Sequence, residues 1–243
     1  MRGRTIVFLH AFPFSGEMWD EQRKFLEDKE YSVLVPTYPG FGGYPDAGFR
    51  TICEYADWVK DFVEKRGVGR AVFAGLSMGG YILLALMEMY PEMVEGAILS
   101  NTKSTADTPE ARERRYVLVD RIEREKSIDF LIDDMLERLF YRKEEHILCR
   151  ARYIMSMASV EGVKSALLSM AARKDRTHVL SSDIPKLIIG SDKDAFSRLT
   201  EVEYMFRNSK NAVMHVFEDV GHISNMEVPA DYNRVLYDWL SSI

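Results

Sequence analysis

The chain has 243 residues, 47% hydrophobic and 29% charged, as expected of one globular domain that carries an insertion. Its net charge of -6, with lysine and arginine scattered among acidic residues, argues against nucleic acid or an anionic membrane as the main partner. The sequence has no apolar run of about 18 residues, so we predict no transmembrane helix. With these partners disfavoured, a small organic substrate is the favoured ligand.

The first residues combine a basic tip with an apolar run, but His10 interrupts this run and no small-residue cleavage site follows. We predict a strand there. Cys53 and Cys149 lie in helical-looking segments without metal-ligand spacing, which indicates free thiols, although a disulfide stays open. We therefore expect a reduced, cytoplasmic protein.

Short runs rich in β-branched residues recur along the chain, and they are apolar almost throughout, as in strands covered on both faces. The predicted strands are residues 5–9, 31–35, 71–75, 96–100, 186–190 and 212–217. Helical periodicity lies between them, at 17–26, 51–66, 79–90, 199–207 and 229–240. This alternation predicts a parallel α/β sheet with helices on both faces.

The alternation stops between the fourth and fifth predicted strands, where four helical patterns follow one another. We predict a helical lid at 105–180, inserted into a core formed by 1–104 and 181–243. Most apolar lid residues should pack against the core. We expect a few of them, including Phe130, Met155 and Met157, to roof an apolar substrate pocket.

Gly75-Leu76-Ser77-Met78-Gly79 follows a predicted strand and precedes a predicted helix. In this setting G-x-S-x-G forms a nucleophile elbow, a tight turn that exposes the serine hydroxyl. The bare motif is weak evidence, and the strand-turn-helix context strengthens it. Ser77 is therefore the candidate nucleophile.

A serine nucleophile needs a histidine base. Of the five histidines, only His222 combines a loop position with the chain order serine, acid, histidine. His215 lies within a strand, His146 on a lid helix, and His178 just before the return to the sheet, while His10 ends the first strand. His222 is therefore the candidate base.

Backbone N–H groups are needed to stabilise the oxyanion that forms during acyl transfer. The residue after the serine, Met78, is one candidate donor. The turn after the first strand supplies the other, and Phe12 is favoured there because Pro13 has no N–H.

With these features the chain resembles the α/β-hydrolase superfamily, specifically small lidded esterases and lactonases related to 3-oxoadipate enol-lactonase and to RsbQ-type hydrolases. The matching segments are LHAFPFSGEMW, PGFGGYP, GLSMGGYILLAL, SNTKSTADTPEARERR, DKDAF and GHISNMEVP. The resemblance implies a triad of Ser77, an aspartate and His222, an oxyanion hole from Phe12 and Met78, and hydrolysis of esters, thioesters or lactones through an acyl-enzyme.

Three departures from the family pattern stand out. Ala11 replaces a common glycine after His10, and Asn101 removes an alternative acid position. The chain also starts on what would be the third of eight strands, so we expect six. The strand at 31–35 would then form an exposed edge of the sheet. We expect either that two copies of the chain associate along this edge as a homodimer or that neighbouring segments cover it.

The acid must come from the loop after KLIIG, where Asp192 and Asp194 are both available. Relatives commonly place the aspartate three residues after the strand-ending glycine, but Lys193 stands there. The segment Asp194-Ala195-Phe196 matches the family's acid followed by a small and an apolar residue. The resemblance therefore favours Asp194, with Asp192 as the alternative.

The sequence leaves other functions open. Carbon–carbon bond hydrolysis on the same triad and a weakly catalytic, ligand-binding signalling module are the alternatives, because fold and triad do not define the substrate. Among the lid arginines, Arg112, Arg114 and Arg173 can reach a carboxylate, although a solvated surface role is the commoner one. No metal-binding or nucleotide-binding motif is present in the sequence, so we expect no cofactor.

Overall fold

The computed structural model describes residues 4–243, and within them one six-stranded sheet forms the centre of the fold. Its strands are β1 (Thr5–Leu9), β2 (Ser32–Leu34), β3 (Ala71–Leu76), β4 (Val94–Ser100), β5 (Lys186–Ser191) and β6 (Ala212–Phe217). The spatial order is β2-β1-β3-β4-β5-β6, and every pairing is parallel. The predicted parallel, six-stranded α/β sheet is thus confirmed.

The α-helices of the described residues alternate with these strands, except between β4 and β5. They are α1 (Asp20–Glu27), α2 (Ile52–Glu64), α3 (Met78–Met89), α4 (Pro109–Glu125), α5 (Asp129–Leu139), α6 (Glu145–Ser156), α7 (Val160–Ala171), α8 (Leu199–Arg207), α9 (Ser224–Glu227) and α10 (Pro229–Leu240). None of them is both long and apolar enough to cross a membrane.

The central strands are buried because they are apolar on both faces. In β1, Ile6, Val7, Phe8 and Leu9 are all completely buried, although successive side chains of a strand point to opposite sides of the sheet. Helix layers must therefore cover both faces, as the continuous apolar runs predicted.

The strand order creates a crevice at the carboxyl edge of the sheet. From β1 the chain moves outward to β2 and then returns to β3 on the opposite side of β1. The register pairs Leu9 with Gly75, so β1 and β3 end side by side. Such a switch in strand order is where open α/β sheets bind ligands, because the adjoining loops diverge.

Strand β2 forms one edge of the sheet, as expected for the segment 31–35. Val33 and Val35 on this segment are half-buried, and Ser32 is exposed. Self-association along this edge stays a prediction. A monomer in solution with rapid amide exchange across residues 32–35 would argue against it.

The four helices α4 to α7 lie consecutively between β4 and β5, in the region predicted as an insertion. Thr108 and Ser159 cap the starts of α4 and α7 by accepting hydrogen bonds from main-chain N–H groups of the first turn. The boundaries 105–180 for a lid domain remain a prediction.

Cys53 and Cys149 are both free thiols in the structure.

Candidate active site

Ser77 occupies a strained turn between β3 and α3. Its backbone angles are φ 55° and ψ -113°, a region that residues with a side chain rarely adopt. Two hydrogen bonds hold the turn: the Ser77 N–H donates to the Ser100 carbonyl at 3.0 Å, and the Thr102 hydroxyl donates to the Ser77 carbonyl at 2.8 Å. The surrounding structure thus fixes the serine where its side chain reaches the crevice.

The two glycines of the motif are required by close backbone contacts. A Cβ atom on Gly75 would lie 2.3 Å from the Gly79 carbonyl oxygen, and one on Gly79 would lie 2.1 Å from the Leu9 carbonyl oxygen. Only glycine allows β3, α3 and the end of β1 to approach so closely.

His222 lies on the loop between β6 and α9, buried beside the acid loop. Its Nδ1 atom is 2.8 Å from both carboxylate oxygens of Asp194. Its backbone N–H donates to the Leu139 carbonyl at 2.7 Å. Asp194 therefore holds the imidazole, and Leu139 holds the backbone that carries it.

A buried carboxylate secures the same loop. Glu227 accepts main-chain hydrogen bonds from Gly221 at 3.1 Å, from Tyr141 at 3.1 Å and from Arg142 at 2.9 Å. Burial raises the pKa of the Glu227 carboxyl against the lowering effect of these donors. This role could not be predicted from the sequence, because it depends on two segments that only the fold brings together.

Asp194 is held as a carboxylate by several donors. Its Oδ1 accepts the N–H groups of Phe196 at 2.7 Å and Ser197 at 2.9 Å, and its Oδ2 accepts the Asn101 amide at 3.1 Å. Burial alone would raise the pKa of Asp194, but His222 and these hydrogen bonds outweigh it and keep the pKa below its usual value.

Asp192 lies apart from the imidazole. Its side chain pairs with Lys193, and its backbone N–H donates to the Phe217 carbonyl at 3.1 Å. Burial raises the pKa of Asp192, while the hydrogen bond from Lys193 is the chief effect that lowers it below its usual range. Of the two aspartates considered from the sequence, the structure brings Asp194 to His222.

Phe12, in the turn after β1, lines the same cleft as Ser77. Within residues 4–243, neither the Phe12 nor the Met78 N–H donates to a protein acceptor. Met78 is also the first residue of α3, where the helix dipole favours negative charge. The two residues proposed for an oxyanion hole therefore keep their donors available.

His10 directly follows β1 and is completely buried. Its Nε2 accepts the Tyr38 N–H at 3.1 Å, and its Nδ1 lies 3.0 Å from the Ala11 carbonyl oxygen. Burial lowers the pKa of His10 to about 3 against the raising effect of the Ala11 carbonyl, so the ring stays neutral.

The remaining histidines lie on other parts of the molecule. His146 is exposed on α6 near Glu144, and His178 is exposed near Glu88. His215 is half-buried in β6, where burial lowers its pKa.

Ser77 and His222 line the same cleft, which has a volume of about 140 Å³. Their side chains share no hydrogen bond in the part of the chain that the structure describes. The cleft is lined by Phe12, Ser77, Tyr81, Lys103, Arg115, Leu118, Leu131, Asp134, Met135, Arg138, Leu139, Leu167, Met170, Phe196 and His222. Most of these side chains come from α4, α5 and α7.

The three residues expected to roof the pocket lie outside this lining. Phe130 is half-buried beneath the guanidinium of Arg121, 3.7 Å from its ring centroid. Met155 is completely buried on α6, and Met157 is 40% exposed at the end of that helix. Helix α6 contributes no residue to this cleft, which explains the position of Met155 and Met157. On α5 the apolar side chains that meet the cleft are Leu131, Met135 and Leu139, and Phe130 projects to one side of this stripe.

Among residues 4–243 no group of three or more histidine, cysteine, aspartate or glutamate side chains is arranged to hold a metal ion.

A family model described as the alpha/beta hydrolase family matches residues 6–235. The protein belongs to the alpha/beta hydrolase family. The match covers the elbow, the acid loop and the histidine loop, so the resemblance inferred from the motifs is confirmed.

Known proteins similar to this alpha/beta hydrolase include several classes of hydrolase. The 3-oxoadipate enol-lactonase 2 of Acinetobacter baylyi is 22% identical over 236 residues, covering 96% of this chain and 86% of that protein. A 2-hydroxy-6-oxononadienedioate/2-hydroxy-6-oxononatrienedioate hydrolase of Pseudomonas sp is 26% identical over 254 residues, covering 98% of this chain and 88% of that protein. The structure of a thermophilic esterase from Thermogutta terrifontis, with malate bound, superposes with a TM-score of 0.93 at 33% identity, covering 99% of this chain and 90% of that one.

Proposed function

We propose that this protein is a serine hydrolase that cleaves carboxylic esters, lactones or thioesters of small substrates through an acyl-enzyme, with Ser77 as nucleophile, His222 as base and Asp194 as acid. One observation carries the proposal. Ser77, in a strained elbow, lines the same cleft as His222, whose Nδ1 lies 2.8 Å from both oxygens of a buried Asp194.

The aspartate sets the tautomer of the histidine. An ionised carboxylate only accepts hydrogen bonds, so the imidazole nitrogen that faces Asp194 carries the proton. The other nitrogen, Nε2, is then free to take the proton of the Ser77 hydroxyl as the oxygen attacks the scissile carbonyl. Asp194 next stabilises the imidazolium that forms. We expect the serine and histidine side chains to approach when substrate occupies the cleft.

The carbonyl oxygen gains negative charge during this attack. The free N–H groups of Phe12 and Met78 are the donors available to receive it. The imidazolium then protonates the leaving alcohol, and a water molecule activated by the same histidine hydrolyses the acyl-enzyme.

An esterase with 33% identity and an enol-lactonase relative support this chemistry over other reactions of the family. The carbon–carbon bond hydrolase relative, with 26% identity, supports a second candidate on the same three residues. Cleavage of a vinylogous diketone faster than any ester would favour that second candidate.

The proposal is tested with a chain-length series of p-nitrophenyl esters and the variant Ser77→Ala. We expect an initial burst of p-nitrophenolate from the wild type, because acylation by such an activated ester should be faster than hydrolysis of the acyl-enzyme. The variant should lose at least about a thousandfold in kcat. Unchanged turnover in the variant would contradict the proposal.

A further inference from the structure

Three cationic side chains line the cleft, and two of them are neutralised within the protein. Lys103 pairs with Glu201 at 3.2 Å. Arg138 pairs with Asp134, which lines the same cleft, at 3.1 Å. Neither of these pairs leaves a net charge on the cleft wall.

The third cation, Arg115, shares its counter-ion. Its Nε lies 2.7 Å from Asp107 Oδ2, while the other oxygen of that carboxylate lies 2.6 Å from Arg173 Nη1. One negative charge therefore faces two positive charges. The side chains of Asp107 and Arg173 are 1% and 2% exposed, whereas that of Arg115 is 21% exposed. The excess positive charge thus reaches the cleft through Arg115.

Arg115 also has donors to spare. Only its Nε donates to a protein acceptor within residues 4–243, which leaves the N–H groups of both terminal nitrogens for a ligand. Arg173, by contrast, donates to the carbonyls of Met170 and Thr105 as well as to Asp107. A guanidinium with two free nitrogens matches the two oxygens of a carboxylate.

The surroundings strengthen such an interaction. The cleft that contains Ser77 and Arg115 is otherwise lined mainly by apolar side chains, among them Leu118, Leu131, Met135, Leu167 and Met170. Charges attract more strongly where little water is present. The small volume of the cleft, about 140 Å³, favours short molecules.

We propose that Arg115 binds a free carboxylate that the substrate carries in addition to its scissile ester or lactone bond. The preferred substrates are then short monoesters of dicarboxylic acids, esters of hydroxy acids, or lactones with an acidic side chain. This inference rests on the proposed hydrolase function of Ser77 and adds a class of substrate to it.

Matched alkyl esters test the inference on the wild-type enzyme. Monoethyl glutarate carries the carboxylate on the acyl side, and its neutral isostere is ethyl 5-methylhexanoate. The acetate ester of 4-hydroxybutanoate carries it on the alcohol side, and its isostere is 4-methylpentyl acetate. We expect kcat/KM, measured by pH-stat titration, to favour at least one acid over its isostere by about tenfold or more.

The variant Arg115→Gln should lower that acid-to-isostere ratio by about tenfold to a hundredfold, since charge-assisted hydrogen bonds are lost. Asp107 keeps its contact with Arg173, so we expect the variant to fold. Arg112→Gln is the matched control, because Arg112 is exposed on the same helix. This control should leave the ratio unchanged.

The outcomes separate this inference from the function on which it rests. If the wild type hydrolyses both neutral isosteres at least as well as the acids, the inference is wrong while the hydrolase function stands. An unchanged ratio in Arg115→Gln would also overturn it. If no ester is hydrolysed and a fluorophosphonate does not label Ser77, both proposals fail.

Discussion

The side-chain amide of Asn101 joins the acid loop to the histidine loop. Its Nδ2 donates to Asp194 Oδ2 at 3.1 Å, while its Oδ1 accepts the Ser224 hydroxyl at 2.7 Å, two residues after His222. Asn101 follows β4 with a φ of 44°, a conformation that asparagine tolerates better than most residues. Asn101 therefore links the loop of the proposed acid to the loop of the proposed base.

Asn101→Gly removes these two hydrogen bonds and the one that Asn101 Nδ2 donates to the Ser191 hydroxyl, without straining the backbone, because glycine accepts positive φ. We expect kcat to fall about tenfold, the effect of one lost hydrogen bond to a charged group, with little change in KM. Steady-state kinetics on one p-nitrophenyl ester measure this. A variant with normal kcat would show that Asp194 holds its position without the amide.

The aspartate pair makes a sharper test of the acid. Asp194→Asn should reduce kcat by about ten-thousandfold, as expected when the histidine loses the partner that fixes its tautomer. Asp192→Asn is the matched control two residues away, and because Asp192 contacts Lys193 rather than His222, its kcat should stay within a few-fold of wild type. Loss of turnover in the control alone would identify Asp192 as the acid.

Two substitutions of Ser77 should differ in their effect on stability. Ser77→Gly should stabilise the protein, and Ser77→Ala should not. Ser77→Gly relieves the strain of a φ of 55°, which costs about 1–3 kcal/mol, but it also adds freedom to the unfolded chain. We expect a net gain of about 1 kcal/mol in the free energy of unfolding.

Ser77→Ala is the control for that gain, because it keeps the Cβ atom and therefore the strain. The Ser77 side chain makes no capping hydrogen bond to α3, so neither variant loses one. Urea unfolding followed by circular dichroism gives both values. Equal stability of the two variants would show that the elbow stores no strain.

Buried His10 predicts a pH dependence of stability. Its pKa of about 3 in the folded protein lies below the ordinary value of 6.5, so the unfolded chain binds a proton below pH 6.5 that the folded protein does not. The neutral His10 therefore makes its full contribution to the free energy of unfolding above pH 6.5. This contribution decreases by about 1.4 kcal/mol per pH unit as the pH falls from 6.5 toward 3.

The variant His10→Asn isolates this effect, because the asparagine carbonyl can still accept the Tyr38 N–H and does not titrate. The difference in unfolding free energy between wild type and variant should shrink by about 2 kcal/mol between pH 7 and pH 5. A difference that stays constant over this range would mean that His10 is protonated in the folded state.

Local sequence patterns were sufficient to predict the framework. The six strands follow from apolar runs that are buried on both faces, and α3 begins at Met78, one residue before the predicted start. The elbow was predictable because glycine spacing and a strand-turn-helix pattern are local. Asp194 required the resemblance, since spacing alone gave no choice between it and Asp192.

The cleft lining was harder to predict because it depends on tertiary packing. Helix α5 is apolar on more than one side, and nothing local shows that Leu131 rather than Phe130 meets the cleft. For the same reason the sequence pointed to Arg112, Arg114 and Arg173 and passed over Arg115, the arginine that lines the cleft. Its surplus charge arises from sharing Asp107 with Arg173, 58 residues further along the chain than Arg115.

The central claim is that Ser77 is an activated nucleophile, and covalent labelling tests it most directly. A fluorophosphonate should add to the folded wild-type protein at one equivalent, and peptide mass spectrometry should place the adduct on Ser77. His222→Ala should label far more slowly, and Ser77→Ala should not label at all. A folded wild-type protein that takes up no label, or that takes it up at another residue, would contradict the account.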